Sequence, residues 1–326
     1  MASWMNLIAD SYSELWQMII RPPRCQYNLS DLGPRAFSVK GVAIAREDLR
    51  LRNEQGQTLE CSHWKPADGE RWPCVVYCHG NCSSRVEALD ALQALLSRRV
   101  AVFSLDFSGS GRSEGEYVSL GFHEQQDLRV VVEHLRSSGA ASSVGLWGRS
   151  MGAATTALRA AEDPSLAACV MDSPFGSLKQ VAEELVNSGA INVPRFLLTM
   201  ALHVISREVY SRAGFWVEEL LPLRGAPQAV APALFVAAKD DKFVLPHHAE
   251  DLHNAWGGER RMVILDGGHN GARPQWFIEE AAGFLEGHLL AAAARRESRP
   301  AAATFPPPER PESPPPLRPG TPPAER

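Results

Sequence analysis

Short runs in which nearly every position is apolar recur from residue 74 onward, at 74–78, 100–105, 143–147, 167–171, 233–238 and 261–265. A strand can be apolar on both faces only when both are covered, so these runs predict buried strands. Between them lie segments with helical spacing, at 86–96, 121–136 and 153–161. The alternation predicts an α/β fold: a mainly parallel twisted sheet with helices on both faces. Upstream, 37–44 and 49–53 read as β-rich, and Gln55-Gly56 forms a turn before a strand at 58–64, an antiparallel start to the same sheet. Residues 175–230 break the rhythm as an insertion expected between the sixth and seventh strands. It holds helices over 178–187 and 195–211, the second apolar along Phe196, Leu197, Met200, Ala201, Val204 and Ile205.

The ends differ from the body. Residues 1–20 place Trp4, Ile8, Tyr12, Leu15, Trp16 and Ile19 at helical spacing and predict an amphipathic helix. There is no basic start and no uninterrupted apolar run, and Asp10 and Glu14 intervene, so neither a secretory signal nor a membrane span is expected. Ala2 excludes the myristoylation pattern. Docking on the body is the favoured role of this helix; the two tryptophans leave a peripheral membrane contact as the alternative. Residues 293–326 carry eleven of the 24 prolines, few apolar anchors and many charges, a composition that predicts disorder. The expected organisation is thus an N-terminal helix (1–20), one α/β domain (21–292) and a Pro-rich tail (293–326).

Composition removes several function classes. With 326 residues, 44% hydrophobic, the chain can bury one large core. A net charge of −5 provides no field for nucleic acid, and no nucleic-acid motif is present. Cys25, Cys61, Cys74, Cys78, Cys82 and Cys169 are scattered through the chain without zinc-type spacing. They read as thiols of a reducing, cytoplasmic compartment, and neither a metal nor a cofactor is expected.

The chemistry centres on Gly148-Arg149-Ser150-Met151-Gly152, which joins the run ending at Trp147 to the Ala-rich helix that follows. A serine on a tight strand-to-helix turn projects its hydroxyl above the sheet, and small residues two before and two after let the backbones close in. The pattern alone is common in a chain this rich in Gly and Ser. Its context, however, is ordered. Upstream, Cys78 runs into His79-Gly80-Asn81, where a glycine turn can aim the Asn81 N–H at a developing oxyanion; the N–H of Met151 is the expected second donor. Downstream, one strand ends in Lys239-Asp240-Asp241 and another in Asp266-Gly267-Gly268-His269. A carboxylate and a histidine just past strand ends can converge on Ser150 as acid and base.

Competing readings remain at several positions. Ser150 is also a plausible helix N-cap. Asp240, adjacent to Asp241, and Asp172, which ends the strand at 167–171, are alternative acids. His79 and Asp106 read as structural partners of their turns. The Gly109-Ser110-Gly111-Arg112-Ser113 loop lacks both phosphate-loop and dinucleotide spacing and reads as a tight turn.

These residues, with Ile20-Arg21-Pro22-Pro23-Arg24, Tyr77-Cys78-His79-Gly80-Asn81 and 106–115, resemble the α/β-hydrolase superfamily over about residues 20–290. Within it they resemble serine aminopeptidase-like and monoacylglycerol lipase-like hydrolases, most closely a plant and algal branch. The resemblance implies Ser150 as nucleophile, Asp241 as acid and His269 as base. It departs at Ala238, where relatives usually carry glycine. It also implies that the insertion is a small cap over the site, although its apolar residues serve equally to dock a helix on the sheet. The expected activity is hydrolysis of an acyl ester or thioester of a small-molecule substrate. An aminopeptidase or amidase is the alternative and needs an acidic anchor, for which Glu183, Glu184, Glu218 and Glu219 are candidates. A non-catalytic binding protein on the same fold is the alternative from another class.

Overall fold

The computed structural model describes residues 16–17, 19–189 and 198–298. Among these, nine strands make one sheet: β1 (Ala36–Val39), β2 (Val42–Arg52), β3 (Thr58–Pro66), β4 (Cys74–Cys78), β5 (Ala101–Leu105), β6 (Val144–Arg149), β7 (Cys169–Asp172), β8 (Ala233–Ala238) and β9 (Arg260–Leu265). Their order is β1-β2-β3-β5-β4-β6-β7-β8-β9. The first three and the β3–β5 junction are antiparallel, and every pair from β5 to β9 is parallel. β4, β5, β7 and β8 are buried at every position, as their unbroken apolar runs require.

The helices of eight or more residues are α1 (Leu89–Leu96), α2 (Glu124–Ser137), α3 (Met151–Glu162), α4 (Leu178–Asn187), α5 (Leu198–Ala213), α6 (His247–Ala255) and α7 (Gln275–Glu297). α3 packs on β6 and β7, while α7 lies against β6, β7 and α1. Gly145 in β6 lets α7 approach closely: a Cβ there would stand 3.4 Å from the Leu285 side chain. The parallel strands therefore deliver β4, β6, β8 and β9 to one edge of the sheet, where their carboxyl ends form a common crevice.

Three boundaries differ from expectation. The 37–44 segment is not one strand, because Lys40 and Gly41, both at positive φ, turn it into the β1–β2 hairpin. Seven strands precede the insertion, which falls between β7 and β8 rather than between the sixth and seventh. The last helix runs to Glu297, five residues into the segment 293–326 for which the composition predicts disorder. Ala291 to Ala294 are strong helix formers, and Ala292 packs against the core, so the helix extends past the point where apolar anchors thin out.

The insertion is fastened to the body at several points. His247 and His248 at the start of α6 reach the two carboxylate oxygens of Glu184 in α4, at 2.8 and 3.0 Å. Val209 of α5 is fully buried and Ile205 nearly so, whereas Val204 and Tyr210 are exposed. The rings of Phe122 and Phe215 stack beyond its end, and His123 Nε2 lies 2.7 Å from the Ala213 carbonyl. The expected positions Phe196 and Leu197 lie outside the described residues. So do residues 1–15 and the tail from 299. Of the first helix, Trp16 and Ile20 are buried in the core, with the Arg212 guanidinium 4.1 Å above the Trp16 ring. Among the described residues, no helix is long and apolar enough to cross a membrane.

Candidate active site

Ser150 stands between β6 and α3 with φ 51° and ψ −114°, a left-handed conformation that a non-glycine residue adopts only when its surroundings enforce it. They do so here. A Cβ at Gly148 would overlap the Gly152 carbonyl, and one at Gly152 would overlap the Cys78 carbonyl. The two glycines thus let the turn close on itself and let α3 start against the end of β4. The Ser150 N–H donates to the Asp172 carbonyl at 2.8 Å, so the turn is also tied to β7. No side-chain cap bond is made by Ser150, which leaves its hydroxyl free for other partners.

That hydroxyl lies 2.8 Å from His269 Nε2. On the other side of the ring, Nδ1 lies 2.6 Å from Asp241 Oδ2. Asp241 is almost fully buried, and its Oδ1 accepts the N–H groups of Phe243 and Val244, both at 2.9 Å. A carboxylate so held can only accept, so the Nδ1 proton belongs on the Asp241 side and the Nε2 lone pair faces the Ser150 O–H. The Phe243 ring, half exposed, leans on the imidazole at a centroid distance of 5.2 Å.

The other acid candidates are used elsewhere. Asp240 is exposed, and its Oδ2 accepts the Gly267 N–H at 3.3 Å. Asp172 is buried and forms a two-bond pair with Arg273, Nε to Oδ2 at 2.7 Å and Nη2 to Oδ1 at 2.8 Å. His79 is structural: its Nδ1 meets the Gly80 carbonyl at 2.7 Å, while Nε2 accepts the Phe107 N–H at 3.1 Å. Asp106 braces the glycine-rich loop, accepting the N–H groups of Arg85 and Arg112 and the Tyr27 hydroxyl. Gly111 has a positive φ and sits directly against that carboxylate, where no Cβ would fit.

The His79-Gly80-Asn81 turn closes the crevice beside the serine. A Cβ on Gly80 would stand 3.9 Å from that of Ser150, and the Gly80 N–H is held by Glu87 Oε2 at 3.0 Å. The Asn81 side chain accepts the Cys82 N–H, again at 3.0 Å. Among the described residues, the N–H groups of Asn81 and Met151 donate to no protein acceptor.

The chain is similar in sequence and in fold to known proteins. The model of the serine aminopeptidase S33 family of hydrolases matches residues 70–213. The Bacillus subtilis protein YqkD is 28% identical over 66% of this chain and 70% of its own length. Rat monoglyceride lipase is 32% identical over 44% of this chain and 51% of that protein. An esterase of Pyrococcus furiosus superposes with a TM-score of 0.61 at 21% identity, covering 83% of this chain and 99% of its own. The chain has the α/β-hydrolase fold.

Two cations beside the site gave no sign in the sequence. Arg149, inside the serine motif, reaches the carbonyls of His269 and Gly271 at 3.3 and 3.0 Å. Arg273 reaches the same two carbonyls and that of Gly268. A lone arginine four residues past a histidine has no signature, and its partner Asp172 lies 101 positions away.

Proposed function

We propose that this α/β-hydrolase-fold protein is a serine hydrolase of the esterase and lipase type, which cleaves an acyl ester or thioester through an acyl-enzyme intermediate. The observation that carries the reading is the unbroken hydrogen-bonded chain from Ser150 Oγ through His269 to Asp241. In the first half-reaction Oγ bonds to the acyl carbon while His269 Nε2 takes the hydroxyl proton. The carbonyl electron pair moves onto oxygen, and that oxyanion accepts hydrogen bonds from the proposed donors, the N–H groups of Asn81 and Met151. The tetrahedral species collapses as the leaving alkoxide or thiolate departs with the Nε2 proton. Water then repeats the sequence, His269 again acting as base, and the acid product leaves with Ser150 restored. Asp241 keeps the ring in the required tautomer and stabilises the imidazolium.

Esters are favoured over amino-acyl amides by a second observation. An aminopeptidase needs a carboxylate available to the substrate amine, and most acidic candidates of the insertion are engaged. Glu184 accepts from two histidines, Glu183 pairs with Lys179 at 3.7 Å, and Glu218 accepts the Ser206 hydroxyl at 2.5 Å. The test is a panel of acyl esters and thioesters of graded chain length run beside amino-acyl amides. Turnover of esters with kcat/KM at least tenfold above that of any amide is the expected result. Preference for the amides would establish the peptidase reading instead.

A further inference from the structure

The loop carrying His269 is built from residues that hold no shape of their own. Gly267, Gly268 and Gly271 surround it, and Gly267 has a φ of 100°. Glycines leave the backbone more conformations than any other residue, so this segment must be fixed from outside. Its internal support is slight: the Gly271 N–H meets the Gly268 carbonyl at 3.1 Å, and Gly267 exchanges bonds with Asp240.

The outside support is Arg273. Its Nη1 donates to the carbonyls of Gly268 and Gly271, at 3.3 and 3.2 Å, and its Nη2 to that of His269 at 3.3 Å. The same guanidinium is anchored on the far side by both oxygens of Asp172 and by the Ser173 hydroxyl at 3.1 Å. Asp172 and Arg273 side chains are 2% and 7% exposed. Burying such a pair has a desolvation cost that its mutual attraction seldom exceeds by much, so stability alone is a poor reason for its presence. A planar fork that spans a carboxylate and three carbonyls does have a geometric use, and a lysine cannot reproduce it. Asp172 also receives the Ser150 N–H through its own carbonyl. One residue at the end of β7 therefore touches the backbone of the serine directly and that of the histidine through a single side chain.

We propose that Arg273, clamped by Asp172, is a positioning residue that fixes the His269 loop and so keeps the imidazole on the Ser150 hydroxyl. The proposal rests on the reading of Ser150 and His269 as nucleophile and base. Arg149 is an auxiliary contact on the same carbonyls. A displacement of about 1 Å at a reacting group can cost on the order of 10² in rate, which sets the expected scale.

The test compares Arg273→Met, Arg273→Lys and Asp172→Asn with the wild type and with Ser150→Ala, using the esters found in the substrate panel. Arg273→Met should lower kcat about 100-fold with KM changed less than threefold. Arg273→Lys, which keeps the charge but not the fork, should recover only part of the loss. Asp172→Asn should act in the same direction. The low-field proton resonance of the His269–Asp241 bond should be sharp in the wild type and broadened or absent in Arg273→Met. Should Arg273→Met not fold, the kcat and resonance of Arg273→Lys decide. A folded Arg273 variant with wild-type kcat and an unchanged resonance overturns the proposal. If Ser150→Ala keeps its turnover, the catalytic reading itself fails; if Ser150→Ala is inert and Arg273→Met is fully active, only the positioning role fails.

Discussion

At the scale of single residues, the site depends on backbone geometry as much as on side chains. Ser150 holds a φ of 51°, a conformation that costs a non-glycine residue about 1–3 kcal/mol and persists only where packing demands it. The strain is met locally by Gly148 and Gly152, and its product is a hydroxyl presented to His269 rather than to its own helix. Asn81 is proposed to act in the same way, through its N–H and not its amide. Asn81→Ala should therefore leave kcat within a few-fold of wild type, whereas Asn81→Pro, which deletes the donor, should lower kcat by about 10² to 10³. Steady-state kinetics on variants with wild-type melting curves checks this. Equal losses in both would move the role to the side chain. The residue pattern alone left three acids open, since Asp172, Asp240 and Asp241 all follow apolar runs, and the choice of Asp241 rested on the family resemblance. What separates them is where each carboxylate points: to Arg273, to the Gly267 N–H and to His269 respectively.

At the scale of elements, the sequence was most readable where burial is complete. β4 and β8 have no exposed position, so their apolar runs gave their limits within a residue. The same holds for α4, bounded by the Ser177 cap, whose hydroxyl accepts the Gln180 N–H at 3.3 Å. Elements whose ends are set by other forces were read less well. The β1–β2 hairpin turns on positive φ angles at Lys40 and Gly41, and Lys is no turn signal. α7 runs to Glu297, into the segment whose composition predicts disorder, because alanine propensity carries it there. The link between α4 and α6 through Glu184 and the adjacent histidines could not be anticipated, because it joins positions more than 60 residues apart.

At the scale of the whole molecule, stability toward acid is tied to a buried imidazole far from the chemistry. His63 in β3 is 2% exposed, with the Phe103 ring at 5.4 Å and Cys74 Sγ 3.9 Å from Nε2. Burial, reinforced by the Lys65 charge, pushes its pKa down from 6.5 to about 4. The unfolded chain therefore takes up a proton that the folded chain refuses. The stabilisation is complete above about pH 6.5 and is lost as pH falls toward and through 4, by an amount on the order of 3 kcal/mol. Urea midpoints between pH 7 and pH 4 should fall more steeply for the wild type than for His63→Gln. Identical slopes would show that other groups govern acid unfolding.

The central claim is that Ser150 is a nucleophile activated by His269. Its most direct test is labelling with a fluorophosphonate, followed by mass spectrometry of the digested protein. The wild type should gain one phosphonyl group, located on Ser150, with loss of ester turnover in proportion. Ser150→Ala should remain unlabelled, and His269→Ala should label at least a thousandfold more slowly. A wild-type protein inert to the reagent, or an adduct on a residue other than Ser150, would contradict the account.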